Sequence, residues 1–217
     1  DGGGIATDIL AIKGRIQLAR GQLDQGGATL ASLRGRGVPE SDPRLQELAL
    51  RLALARGELD GAGRVAAPEP HPAGANDGLM LASVQAALRT GNLPVARAWL
   101  AAGAPAGDQD PRYHAVALEL ARAMLARTEG DQAAALQHAQ RADGLETSSR
   151  APEAEIQAGV LQTLILLDAR RFEAASAIMG RLEKYGDSDY RVAWALLALY
   201  RALGDGPATA AALAHAN

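Results

Sequence analysis

Apolar residues recur along this chain at the three-to-four-residue spacing of amphipathic helices, with short polar or glycine-containing breaks between them. Residues 8–20 carry such a stripe, Gly21 and Gln22 interrupt it, and residues 23–33 form a second, shorter helical pattern. Long stretches with the alternating Val, Ile and Thr pattern of strands are absent from the sequence. The chain is therefore predicted to be all-α.

One short segment recurs in weakened form along the whole length. Residues 55–62 read Ala-Arg-Gly-Glu-Leu-Asp-Gly-Ala, and residues 18–26 and 88–96 resemble them. Neighbouring turn positions of this segment are 36, 34, 39, 40 and 34 residues apart. They are Gly21, Gly57, Gly91, Gly130, Arg170 and Gly204. A period of this length, with a turn between two helical patterns, is typical of a helical-repeat solenoid.

Helix-start signals fall at consistent places in this frame. Asp42-Pro43 and Asp110-Pro111 each combine a good N-cap with proline at the first helical position, and Pro152 is expected to open a further helix. Two more prolines lie three residues after a turn glycine, where the second helix of a pair should start: Pro94 and Pro207. The signals predict paired helices along the whole chain.

Domain organisation depends on the interval 67–76, which contains three prolines and cannot be helical throughout. The repeat spacing continues across it from Gly57 to Gly91, so we predict a surface loop inside one solenoid covering residues 1–217. The alternative is a linker between residues 5–66 and 77–217. Residues 1–4, which include three glycines, are expected to form a flexible leader.

The chain has 217 residues, of which 48% are hydrophobic, so it is long enough to bury a core. Most of the apolar residues are Ala and Leu, which favour closely packed helices. Net charge is −3, with 22 basic and 25 acidic residues spread along the sequence, which predicts neither a nucleic-acid face nor an acidic tail. Nearly all the basic residues are Arg, which favours a GC-rich bacterial source.

Cysteine is absent, which excludes disulfides, thiolate metal sites and cysteine nucleophiles and leaves cytoplasm and periplasm both open. The most apolar runs, residues 158–167 and 192–200, are shorter than the roughly 20 residues needed to span a bilayer, so membrane insertion is not expected. Because the sequence begins without Met, we expect a processed or excised fragment of a longer protein.

Small residues lie five positions after each turn: Gly26, Ala62, Ala96, Ala135, Ala175 and Thr209. Large apolar residues lie two positions after four of the turns: Leu23, Leu59, Leu93 and Phe172. This pattern resembles the tetratricopeptide repeat family in a degenerate form, since Gln132 and Gly206 depart from it. The resemblance implies an α/α solenoid of about six antiparallel helix pairs in a right-handed superhelix.

The same resemblance implies that the first helix of each pair lines a concave groove for a peptide or partner helix. It places these apolar residues toward the groove: Leu120, Met124, Val160, Leu161, Leu164, Trp194 and Ala198. Arg127, Arg191 and Arg201 should border it, which would suit an amphipathic or extended acidic segment. Trp194 is the sharpest candidate because Trp and Arg dominate binding hot spots. The alternative is that the apolar residues simply pack between adjacent repeats.

Catalytic and metal chemistry find little support in the sequence. The four histidines lie in different repeats without a ligand-spaced partner, apart from a weak possibility of Glu119 near His114. Asp187-Ser188-Asp189 lacks the later acidic positions of a calcium loop and is better explained as a helix cap before Tyr190. We therefore predict no enzyme activity, no cofactor and no metal site.

The predicted function is a protein–protein interaction scaffold that binds a peptide or helix of a partner, or of its own full-length chain. Two alternatives remain open: the sensor or effector domain of a bacterial transcription regulator, and a periplasmic scaffold of an exopolysaccharide export protein. Residues 208–216, almost all Ala and Leu, should leave an apolar edge at the C-terminus. A further segment of the protein or a second copy is expected to cover that edge, and the same holds less strongly at the N-terminus.

Overall fold

A computed structural model describes residues 2–66, 76–101, 111–146 and 152–216. These residues form twelve α-helices and one short 3₁₀ helix, and no strand occurs among them, which confirms the all-α prediction. None of the helices in these ranges combines the length and apolarity needed to cross a bilayer. The helices are α1 (Gly2–Ala19), α2 (Leu23–Gly35), α3 (Pro43–Arg56), α4 (Leu59–Ala66), α5 (Asp77–Arg89), α6 (Leu93–Ala101), α7 (Pro111–Thr128), α8 (Gln132–Glu146), α9 (Pro152–Asp168), α10 (Phe172–Leu182), α11 (Tyr190–Leu203) and α12 (Gly206–Ala216), with the 3₁₀ helix at Glu183–Tyr185.

The chain divides into two compact units, Asp1–Asp110 with helices α1 to α6 and Pro111–Asn217 with helices α7 to α12. The proline-rich interval 67–76 lies, except for its last residue, outside the described residues, but α4 and α5 on either side of it pack against each other. It therefore connects two helices of one unit. The division comes after residue 110 instead.

Within each unit the helices pack as neighbouring pairs, and the first helices of successive pairs also contact one another. In the first unit α3 packs against both α1 and α5, and in the second unit α9 packs against both α7 and α11. Each second helix also contacts the first helix of the next pair, as α8 contacts α9 and α10 contacts α11. This is the packing expected of stacked helical hairpins.

All six predicted turn residues have a left-handed backbone, with φ between 56° and 83°. In every one of these turns the following residue donates its backbone N–H to the carbonyl five residues earlier, at 2.7–3.0 Å, as Glu58 does to Ala53 and Arg171 to Leu166. This hydrogen bond defines the Schellman motif that ends many helices. Glycine suits the position because it has no Cβ to clash, and Arg170 is the exception in this series.

Helix starts also follow the sequence signals. Asp42 caps α3 by accepting a hydrogen bond from the Arg44 backbone N–H at 2.9 Å, and α3 begins at Pro43. Helices α7 and α9 likewise begin at the predicted prolines. Helix α1 differs, since it begins at Gly2 and includes the glycines assigned from sequence to a flexible leader. Thr7, in the second turn of this helix, is buried.

Small residues allow close helix contact where the repeat frame places them. Ala62, Ala96, Ala135 and Ala175 are fully buried, Gly26 is buried, and Thr209 is half-buried. Leucines supply most of the core of the first unit: Leu18, Leu30, Leu33, Leu45, Leu48 and Leu52. The second unit has a more mixed core: Ile156, Leu166, Ala175, Met179, Leu182, Val192, Ala195 and Leu199.

Arg44 links the first two hairpins of the first unit through charge. Its guanidinium contacts the cap residue Asp42 at 2.7 and 3.0 Å and reaches Asp8 on α1 at 2.7 Å. The hydrogen bonds from Arg44 are the largest influence on Asp42, and they lower the pKa of its carboxyl below the ordinary value of 3.8. Arg44 therefore ties the start of α3 to α1 through Asp8, and the ionised Asp42 carboxylate holds the Arg44 side chain in place.

Replacing Arg170 by glycine should stabilise the second unit. A non-glycine residue in the left-handed region is strained by about 1–2 kcal/mol, and the greater freedom of glycine in the unfolded chain offsets part of that relief. We expect Arg170→Gly to raise the free energy of unfolding by up to about 1 kcal/mol. Ala169→Gly, one residue earlier, should lower it by about 0.5–1 kcal/mol. Urea unfolding followed by circular dichroism measures both, and equal effects of the two substitutions would contradict the strain argument.

Asp42→Asn should reveal the Arg44 link through pH. Asn caps a helix as well as Asp does, so the substitution removes the charge and keeps the cap. Because the folded pKa of Asp42 is lowered, its contribution is complete above pH 3.8 and is lost as pH falls below that value. At neutral pH we expect the variant to be less stable by about 1 kcal/mol, with the difference shrinking in acid.

Urea unfolding across a pH series measures this difference. Glu58→Gln, which removes an exposed carboxylate near the end of α3, serves as the control. A stability difference for Asp42→Asn that stayed constant from neutral pH into acid would show that the ionised carboxylate contributes nothing.

Candidate functional site

The ten residues predicted to line or border a binding groove all lie in the second unit, on its three first helices. Since α9 packs between α7 and α11, the structure brings these three helices side by side. The residues are Leu120, Met124 and Arg127 on α7, Val160, Leu161 and Leu164 on α9, and Arg191, Trp194, Ala198 and Arg201 on α11.

Exposure separates these residues into interior and surface positions. Leu120 is 1% exposed and Leu161, placed toward the groove with it, is 7% exposed, so both belong to the interior. Met124, Val160 and Leu164 are half-buried. Trp194 is 52% exposed, which is unusual for so large an apolar side chain in the middle of a helix.

Helix α9 carries the middle of this surface. Glu153, Val160, Leu164 and Asp168 follow one another at multiples of a helical turn and so share one side of α9. Glu153 pairs with Arg191 on α11, and Asp168 pairs with Arg127 on α7. One charged end of this side of α9 therefore faces α11 and the other faces α7. The apolar residues Val160 and Leu164 lie between these two ends. We call the set Met124, Val160, Leu164, Trp194 and Ala198 the first-helix face.

Arg191 joins the beginnings of α9 and α11. Its two Nη atoms lie 2.8 and 2.7 Å from the Glu153 carboxylate, and its Nε lies 2.9 Å from Asp189, which caps α11. Burial disfavours the charged guanidinium, but the hydrogen bonds to Glu153 and Asp189 outweigh it, so the pKa of Arg191 is raised above its ordinary value. Asp189 is 5% exposed and therefore depends on this partner.

Arg127 is engaged in the same way at the other end of the face. Its Nε lies 2.6 Å from Oδ2 of Asp168 at the end of α9. Two of the three predicted rim arginines thus have their charge compensated inside the unit, and Arg201 is the exposed one of the three. The geometry offers an apolar surface with neutral ends instead of a basic rim.

Sequence reasoning missed the acidic partners of these arginines and a second link beside them. The Tyr185 hydroxyl donates to Glu155 at 2.7 Å, and Lys184 lies 3.2 Å from the same carboxylate and 4.7 Å from the Tyr185 ring centre. Burial raises the pKa of Glu155, but these contacts outweigh it and leave the pKa lowered. The Asp42-Pro43-Arg44 and Asp189-Tyr190-Arg191 triplets were the available signal for the pairing of Arg191 with Asp189, since each consists of the N-cap and the first two residues of a first helix.

A cavity of about 460 Å³ between α7 and α8 contains none of the predicted residues. Glu119, which lines this cavity, accepts a hydrogen bond from Nη1 of Arg122 at 2.7 Å. Its other carboxylate oxygen lies 2.8 Å from Nδ1 of His138. Burial raises the pKa of Glu119, but these two partners outweigh it and lower the pKa overall. The structure therefore pairs Glu119 with His138 on α8, whereas the sequence suggested His114.

In the parts of the chain that the structure describes, no group of three or more His, Asp or Glu residues could hold a metal ion. His71, one of the four histidines, lies outside those parts. No protein family, curated protein or solved structure matches this chain. The geometry of the two units therefore carries the functional argument.

Removing Arg191 should destabilise the second unit far more than removing Arg201. Arg191→Met leaves the buried Asp189 and the Glu153 carboxylate without their cation, a loss expected to cost about 2–4 kcal/mol. Arg201→Met alters an exposed position on the same helix and should stay within about 0.5 kcal/mol of the native chain. Urea unfolding of both variants tests this, and similar stabilities would contradict a structural role for Arg191.

Proposed function

We propose that the second unit is a protein–protein interaction module whose first-helix face holds an apolar helix or extended segment. The segment belongs to a partner protein or to another part of the same full-length chain. The observation that carries the proposal is the 52% exposure of Trp194 in the middle of α11. Trp, with Tyr and Arg, is enriched among the few residues that carry most of the binding energy at protein interfaces.

The surroundings of Trp194 suit such an anchor. Ala198 follows it by one helical turn and has a small side chain, while Val160 and Leu164 on α9 are half-buried, with part of Val160 packed against the core. Together these residues form a shallow apolar strip across two adjacent helices. A partner with apolar side chains at helical or alternating spacing would be complementary to it.

Ion pairs at both ends of α9 make the strip rigid before anything binds. Arg191 and Arg127 tie α9 to α11 and α7, so the backbone around Trp194 loses little freedom on association. The ordering cost then falls on the partner segment. Since both arginines are already neutralised, the chemistry of recognition is chiefly apolar, with Arg201 available to a carboxylate beyond the end of the strip.

Selection of peptides on this protein tests the proposal. A random peptide display library is panned against the native chain, and the selected peptides are then measured against Trp194→Ala and Leu203→Ala. Leu203 is a matched control, because it is 49% exposed on the same helix. It follows Trp194 by nine residues and therefore lies on about the opposite side of the helix. We expect Trp194→Ala to weaken binding about 30-fold and Leu203→Ala to leave it unchanged.

Two results would count against the first-helix face. Peptides that bind the native chain and Trp194→Ala equally well would place the binding surface elsewhere. Repeated selections that enrich no peptide at all would contradict the proposal that the second unit is an interaction module. Circular dichroism of each variant establishes that the helices are retained, which the exposure of both side chains leads us to expect.

A further inference from the structure

Helix α1 in the first unit exposes a continuous row of isoleucines. Ile5 is 66% exposed, Ile9 60%, Ile12 46% and Ile16 48%. The opposite side of the same helix is buried through Thr7, Ala11 and Leu18, where α1 packs against α2 and α3. Helix α1 is therefore apolar on two sides, and within the described residues only one of them is covered.

An exposed row of this kind needs a partner. The solvent side of a helix in a single folded chain is normally polar, and a continuous apolar patch marks an interaction surface. The intervals between the four isoleucines are four, three and four residues, which is the spacing of a coiled-coil seam. The C-terminal edge is a weaker candidate, because α12 exposes the much smaller Ala210 and Ala211.

We propose that the isoleucine row is a two-fold interface on which a second copy of this chain lays its own α1 in the antiparallel direction. The spacing of the four isoleucines is the same whichever end of the row it is counted from. Antiparallel alignment therefore sets Ile5 against Ile16 of the second copy and Ile9 against Ile12 of the second copy, so all four isoleucines are covered. A two-fold interface requires this kind of self-complementary surface.

Charges beside the row favour the antiparallel direction. Asp8 and Arg15 flank it on one side, and Lys13 and Arg20 flank it on the other. In the antiparallel arrangement, the side with Asp8 and Arg15 lies against the same side of the second copy. Asp8 of each copy then approaches Arg15 of the other, which gives two pairs of opposite charge. In parallel pairing opposite flanks meet. Asp8 would then approach Lys13 of the second copy, but Arg15 would approach Arg20 of the second copy, so each side of the axis would combine one attractive pair with one repulsive pair.

The flanking groups retain room for this contact. Asp8 accepts a hydrogen bond from Arg44, yet its side chain is 57% exposed. Arg15 lies 3.8 Å from Glu47, and its side chain is 46% exposed. All of these residues belong to the first unit, so this dimer does not depend on the function proposed for the second unit. Because one helix pair forms a small interface, we expect dimerisation at protein concentrations on the order of 10 µM.

Disulfide trapping tests both the interface and its direction, since the native chain has no cysteine. Ile5→Cys and Ile16→Cys proteins are prepared separately and mixed before oxidation. We expect the mixture to give a disulfide-linked heterodimer and each variant alone to give none. In the antiparallel pair, two copies of the same position lie 11 residues apart along the helix, about 16 Å. Cross-linking of each variant with itself would overturn the antiparallel arrangement.

Sedimentation velocity tests association without any cross-link. The native chain and Leu203→Glu, which alters an exposed leucine in the second unit, should both form dimers, whereas Ile9→Glu should be monomeric with an unchanged helical circular dichroism spectrum. A native chain that stays monomeric at about 100 µM would overturn the proposal. A monomer that instead sediments with anionic phospholipid vesicles, and loses this on Ile9→Glu, would assign the row to a membrane surface and would equally overturn it.

Discussion

The left-handed turn residue is the constraint on which the rest of the structure depends. At each of the six turns it lets the next N–H reach back five residues and close the first helix, so the chain reverses within two or three residues. The reversal fixes which side of the second helix meets the first, and it places buried residues such as Ala135 and Ala175 at the contact. Stacking of the resulting hairpins then sets the three first helices of the second unit side by side.

Charged side chains hold neighbouring hairpins in register after the turns have formed them. Asp8–Arg44 and Glu153–Arg191 join residues 36 and 38 positions apart, and Arg127–Asp168 joins residues 41 apart, so each spans about one repeat. Two of these links fix the strip around Trp194. A first helix therefore serves both as a packing partner and as the support for an exposed surface. In the interaction that we propose, the arginines act mainly by holding α9 and α11 in place.

The sequence predicted the turns well because a left-handed φ strongly favours glycine, and even Arg170 was found from spacing alone. The repeat frame placed the predicted groove residues on α7, α9 and α11, and these three helices pack side by side. It did not predict that Leu120 is interior while Trp194 is exposed, because periodicity does not show whether a neighbouring helix covers that side. The carboxylate partners of Arg191 were missed for a similar reason, since they depend on packing between distant segments.

The closing hydrogen bonds of the turns also bear on how the chain reaches its folded state. Each joins residues only five apart, so a hairpin can form before any distant part of the chain has been found. Chains dominated by such local contacts pass their rate-limiting barrier quickly, and repeat architectures can nucleate in any sufficiently stable repeat. Each unit is therefore expected to fold fast and by several parallel routes, so that no single hairpin is obligatory as the starting point.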